Sequence, residues 1–177
     1  MPEALWIFGY GSLIWDPGFT PAEACPARLD GWHRSFCMHS IHFRGTPAAP
    51  GLVLALDAAE GAQCRGLALR APAAEAARIL AEIRARELVT DAYLERALPV
   101  TLSDGRQVTA ITYVIDRAGP QYCALDFETQ AQTIAHAVGT RGPNRDYLFN
   151  TAAHLASLGL ADPDLEALAA RVRELLA

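Results

Sequence analysis

The sequence predicts an α+β fold: a small mixed, barrel-like β-sheet with helices packed against it. Two observations carry this prediction. Segments rich in β-branched and aromatic residues, separated by turn signals, dominate the first part of the chain and enclose one alanine-rich helical stretch. Helical patterns then close the chain, so hairpins and helices are segregated along it. In order, residues 5–8 read as a short strand, and residues 27–43, mixing Trp, His, Phe and Ile, as an extended or bent one. Residues 51–56 and 63–70 flank the turn-rich Ala59, Glu60, Gly61 and Ala62, which predicts a hairpin. Residues 72–87 form a helix with Pro72 at its first turn, where a missing N–H costs nothing. A second hairpin follows: residues 93–101 and 107–115 enclose Ser103, Asp104, Gly105 and Arg106, with Asp-Gly as the turn signal. Residues 126–138, 144–158 and 164–176 carry apolar side chains at helical spacing, with Gly or Pro breaks between them. A length of 177 residues, with no repeat, low-complexity tract or linker, predicts one domain over residues 1–177.

Composition narrows the chemistry. All fifteen basic residues are arginines, which removes Schiff bases, lysine general bases and a pyridoxal phosphate anchor. Carboxylates, histidines, hydroxyls and thiols remain as reactive groups. A net charge of −5 with scattered arginines argues against nucleic acid or an anionic membrane as partner, and points to a small ligand. Cys25, Cys37, Cys64 and Cys123 sit far apart with no C-x-x-C pair, and they read as small packed side chains. With neither a basic leader nor a long apolar run, the chain is expected to be cytoplasmic, with reduced thiols and no transmembrane helix.

The segment Phe8-Gly9-Tyr10-Gly11-Ser12-Leu13-Ile14-Trp15 is the most informative motif. Two glycines spaced by one residue let a backbone turn present its N–H groups closely to a ligand. A dinucleotide fingerprint does not fit, because Gly9-x-Gly11-x-x-Ile14 lacks the third glycine and Pro17-Gly18 interrupts the place for a phosphate-binding helix. A Walker-type loop needs a lysine, and there is none.

Glu87 is the second. Ile83, Leu80 and Ile79 precede it at helical spacing, so a carboxylate ends the core-facing stripe of that helix. Glu75, Arg78, Glu82 and Arg86 fall on other faces and read as solvated charges, with Glu82 and Arg86 at salt-bridging spacing. An inward carboxylate either pairs with a buried arginine or has its pKa raised by desolvation, as a general acid or base requires.

These motifs carry a family resemblance. The glycine turn, then Gly31-Trp32-His33-Arg34-Ser35-Phe36, Phe43-Arg44-Gly45-Thr46-Pro47, Cys64-Arg65-Gly66 and Arg86-Glu87, are similar in that order to the ChaC-type γ-glutamylcyclotransferases. Tyr113, the Asn144-Arg145-Asp146-Tyr147-Leu148 element with Thr151, and Leu158 to Asp162 continue the likeness, which covers nearly the whole chain. One departure is that many members have Gly-Tyr soon after the Glu, whereas Tyr93 follows Leu88, Val89, Thr90, Asp91 and Ala92. The resemblance implies cleavage of glutathione to 5-oxoproline and cysteinylglycine without a cofactor or metal, Glu87 being the general acid/base. It also implies that Ile7, Phe8, Gly9, Tyr10, Gly11, Ser12 and Leu13 hold the γ-glutamyl group, together with Tyr147.

Several side chains stay open between two roles. Tyr147 hydrogen-bonds substrate, or with Thr151 it is a core residue with a satisfied hydroxyl. Arg44 meets a substrate carboxylate, or orients Glu87 or steadies the turn. Tyr10 is part of the cradle or a structural plug. His39 and His42, three apart in a strand, make a poor metal pair, and no metal-ligand cluster is recognisable.

Overall fold

The computed structural model describes residues 3–89 and 91–177, so Thr90 of the segment before Tyr93 lies outside the described residues. The chain falls into two units, one drawn from residues 1–35 and 56–116 and the other from residues 36–55 and 117–177.

The elements run β1 (Trp6–Gly9), α1 (Ser12–Trp15), β2 (Glu23–Ser40), β3 (Gly51–Arg70), a 3-10 turn (Ala73–Glu75), α2 (Ala76–Glu87), β4 (Tyr93–Leu102) and β5 (Gln107–Ile115). Then come α3 (Phe127–His136), the two-residue strands β6 (Val138–Gly139) and β7 (Gly142–Pro143), α4 (Asn144–Ser157) and α5 (Pro163–Leu176).

The barrel strands close in the order β1-β3-β2-β4-β5, with β1, β4 and β5 in the first unit and β2 and β3 each divided between the two. Strand β1 is antiparallel to β3, with Trp6 opposite Arg70 and Gly9 opposite Leu67, and parallel to β5, with Ile7 opposite Ile111. The predicted β4–β5 hairpin forms as expected. Leu102 N–H donates to Arg106 O, and Gly105 takes the positive φ of +92° that only glycine adopts cheaply. The other predicted hairpin does not form. Residues 59–62 lie inside the uninterrupted strand β3, where Gly61, at φ +79°, bends the strand without reversing it.

The helix runs from Ala73 to Glu87, its first turn 3-10, with Pro72 just ahead of it. Ile79 and Ile83 of α2 are buried with Ile7, Leu13, Leu69, Ala71 and Tyr113 in one apolar cluster. That cluster fixes the helix against β1 and β5. The expected Glu82–Arg86 pair is absent, because Glu82 faces Arg78 at 2.8 Å instead.

In the second unit α3, α4 and α5 pack on one another through Ile134, Leu148, Leu155, Leu168 and Val172, all buried. Asp126 and Asp162 cap α3 and α5 by accepting N–H groups of their first turns. Asn144, fully buried at the start of α4, accepts from Leu52 N–H and donates to Leu52 O, both at 2.8 Å. Its amide thus acts as a strand neighbour for β3.

Candidate active site

The glycine turn follows directly from the end of β1. Thr112 Oγ donates to Phe8 O at 3.1 Å, and Gly66 sits where a Cβ would collide with the Gly9 carbonyl and the Phe8 ring. β3 therefore approaches β1 closely. Ile14 N–H closes the turn on Gly11 O at 2.9 Å and starts the single helical turn α1. A Cβ built on Gly11 would meet nothing within 4 Å, so that glycine faces open space, whereas one on Gly9 would press on Ile14. Among the described residues, the N–H groups of Gly11, Ser12 and Leu13 have no protein acceptor.

Of the residues expected to hold substrate, Ile7 and Leu13 point into the core cluster and Phe8 is fully buried, so these three support the turn from below. Tyr10 is 8% exposed, and its carbonyl accepts from the Arg34 guanidinium. Gly11 is buried but has no protein atom in its Cβ direction, and Ser12 beside it is partly exposed.

Glu87 ends α2, one helical turn beyond Ile83, with its side chain 15% exposed. Burial pushes its carboxyl above the ordinary value, and the Arg86 charge, with Nε 3.5 Å from Glu87 Oε1, opposes that only in part. Arg86 is exposed, as its helical position suggests, but it is not free of partners. Its guanidinium donates to Ser12 Oγ at 2.9 Å and to Asp16 O at 2.6 Å, tying the end of α2 to both ends of α1.

A second carboxylate lies nearby in the same unit. Glu95 of β4 accepts two hydrogen bonds from Arg84 at 2.8 and 2.9 Å and one from Tyr113 Oη at 3.0 Å. Those bonds, the Arg84 pair first, hold Glu95 below the ordinary carboxylate range, so one carboxylate is kept ionised while the other is pushed toward its acid form. Burial and the bond to Glu95 push the Tyr113 hydroxyl well up, and the Glu87 charge adds to this. Glu95 and Arg34 had no assigned role in the sequence. For Glu95 a signal existed: the hairpin register sets it opposite Tyr113.

Tyr147 belongs to the second unit. Its hydroxyl accepts from Leu54 N–H at 3.2 Å, its ring meets Phe36 edge-on, and the Arg44 guanidinium lies 5.8 Å from the ring centroid. Arg44 donates to the carbonyls of Arg141 and Pro143, which favours its structural role. Thr151 Oγ is buried and has no hydrogen-bond partner among the described residues, so the reading of the pair as core residues with satisfied hydroxyls holds for Tyr147 and not for Thr151. All four cysteines are buried, and none is joined in a disulfide. Among the described residues no group of three or more His, Cys, Asp or Glu side chains is placed to hold a metal ion, and no helix is long and apolar enough to cross a membrane.

A closed barrel with this turn and helices defines the fold of the γ-glutamyl cyclotransferases. A glutathione-specific γ-glutamyl cyclotransferase from yeast shares it, with a TM-score of 0.86 at 22% identity over 98% of this chain and 97% of that one. The chain belongs to the ChaC-like protein family, whose profile matches residues 5–175. Among its relatives, the glutathione-specific γ-glutamylcyclotransferase of Escherichia coli is 40% identical over 98% of this chain and 74% of its own length. The enzyme of the same name in Schizosaccharomyces pombe is 33% identical over 93% and 89%.

Proposed function

We propose that this chain is a cytoplasmic glutathione-specific γ-glutamylcyclotransferase that releases 5-oxoproline and cysteinylglycine, with Glu87 as general acid/base. What supports this reading is the mostly buried Glu87 carboxylate at the end of the helix that Arg86 ties to Ser12, together with a turn whose N–H groups have no protein acceptor among the described residues. The relatives' names support the substrate.

In this reaction the α-amine of the γ-glutamyl group attacks its own γ-carbonyl carbon. One C–N bond forms, the five-membered ring closes, and the bond to the cysteinyl nitrogen breaks. No water is consumed. Nucleophile and electrophile share one molecule, so the protein must hold them folded; intramolecular reactions reach effective molarities of roughly 10⁵ M or more. The amine starts as ammonium and the peptide nitrogen cannot leave as an anion. Glu87 takes one proton from the ammonium before attack and gives it to the peptide nitrogen so that this leaves as an amine. The attacking nitrogen sheds a second proton as it becomes the lactam N–H, the released amine takes one up to become ammonium, and the enzyme ends as it began. A raised pKa makes the carboxylate a stronger base and brings both steps within reach near neutral pH. Backbone N–H groups of Gly11 and Ser12 bind the γ-carbonyl oxygen as negative charge develops on it. Tyr147 is assigned a hydrogen bond to substrate on family likeness alone.

Incubation of the purified protein with glutathione, with 5-oxoproline measured over time, tests the proposal. Turnover of other γ-glutamyl peptides or amines but not of glutathione moves the substrate. Binding without turnover makes the chain a γ-glutamyl-binding module.

A further inference from the structure

We propose that Arg34 is a positioning residue for the reaction, holding the Gly11 N–H in the orientation that receives the γ-carbonyl oxygen. This rests on the turn being the substrate cradle. Arg34 lies in β2 and is 7% exposed. A guanidinium removed from water is costly unless its donors are well placed. Here Nε donates to Tyr10 O at 2.6 Å and Nη2 donates to Arg65 O at 2.6 Å. One carbonyl is in the turn; the other precedes Gly66, the residue whose missing Cβ lets β3 pack against Gly9. The planar fork therefore latches the turn to the strand beside it, with charge-assisted bonds that a lysine cannot reproduce as a pair.

The orientation follows from peptide geometry. Tyr10 C=O and Gly11 N–H belong to one planar trans peptide, so they point in opposite directions. Fixing the oxygen on Arg34 aims the hydrogen away from it. Gly11 is buried and its N–H has no protein acceptor among the described residues, whereas buried backbone donors are nearly always paired. A ligand oxygen completes it. A cation on the carbonyl also polarises the same amide and strengthens its N–H as a donor. That gain is largest when the acceptor carries negative charge, so Arg34 acts more on the transition state than on bound substrate.

The test compares wild type with Arg34→Lys and Arg34→Gln in steady-state kinetics and melting, together with the ¹⁵N–¹H resonance of Gly11 during titration with a slow γ-glutamyl analogue. Folded variants are expected to lose roughly 10²-fold in kcat, with KM within about threefold and the pH limb set by Glu87 unmoved. The Gly11 amide proton of wild type should move downfield on binding, and this response should shrink in the variants. Full kcat in a folded variant overturns the proposal, as does a loss carried by KM with an unchanged Gly11 response. A wild-type Gly11 proton that ignores the analogue overturns it even if neither variant folds. Absence of 5-oxoproline from wild type with every γ-glutamyl compound instead overturns the functional reading beneath it.

Discussion

Arg86 and Ser12, 74 positions apart, are joined by a 2.9 Å hydrogen bond from the guanidinium to the hydroxyl, and this bond ties the end of α2 to the start of α1, directly after the glycine turn. Glu87 is the next residue in the chain after Arg86. Any movement of the Arg86 anchor moves the proposed base relative to the proposed cradle.

Glu87→Gln should therefore remove activity while preserving shape. The amide is nearly isosteric but cannot take the ammonium proton, so kcat is expected to fall by roughly 10²–10⁴-fold while calorimetric affinity for a γ-glutamyl analogue is retained. Near-wild-type turnover by the folded variant would sink the assignment of the base.

The same substitution has a thermodynamic signature. The folded-state pKa of Glu87 is raised above its unfolded value, so its contribution to stability is fully present below the unfolded pKa and is lost as pH rises through the folded pKa. At neutral pH the folded protein carries a poorly solvated charge. Glu87→Gln should accordingly melt at a higher temperature than wild type at pH 7, with the gap closing as the pH falls through the folded and then the unfolded pKa. Melting curves from pH 4 to 8 check this; a lower melting temperature for the variant at pH 7 contradicts it.

Arg86→Met removes both the anchor to Ser12 and Asp16 and the cation that opposes the rise in the Glu87 pKa. We expect kcat/KM to drop by roughly 10–100-fold through misplacement of the base, and the acid limb of the rate profile to move to higher pH. A lower rate with an unmoved limb would separate Arg86 from the titration of Glu87.

Gly11→Val places a branched side chain where the protein itself has no atom within 4 Å. Binding of a γ-glutamyl analogue should weaken by more than tenfold, about 1.4 kcal/mol, with little change in melting temperature. Unchanged affinity in the folded variant would take this turn out of the site.

Activity should survive EDTA and exhaustive dialysis, since the proposed reaction draws only on a carboxylate, backbone donors and the substrate's own amine. Loss of rate that a particular metal ion restores would overturn that expectation.

The sequence by itself determined the elements whose signals are local. Asp104-Gly105 specified the β4–β5 turn, Ile79 and Ile83 specified the buried face of α2, and the same spacing carried Glu87 inward. Gly9 and Gly11 marked the turn because backbone without a Cβ is informative wherever it occurs. Local signals failed where the answer depended on partners distant in sequence. Gly61 carries the same turn chemistry in a hairpin as in a bent strand, and the barrel selected the bent strand. The helical spacing that sets Glu82 equally against Arg78 and Arg86 could not register Ser12 and Asp16, distant in sequence, as the acceptors that Arg86 takes. Arg34 looks like any other arginine in a strand until the barrel closes and sets two carbonyls against it. Helical and turn propensities are properties of neighbouring residues, whereas the placement of a buried charge is decided by which distant backbone groups the tertiary fold leaves for it to bind.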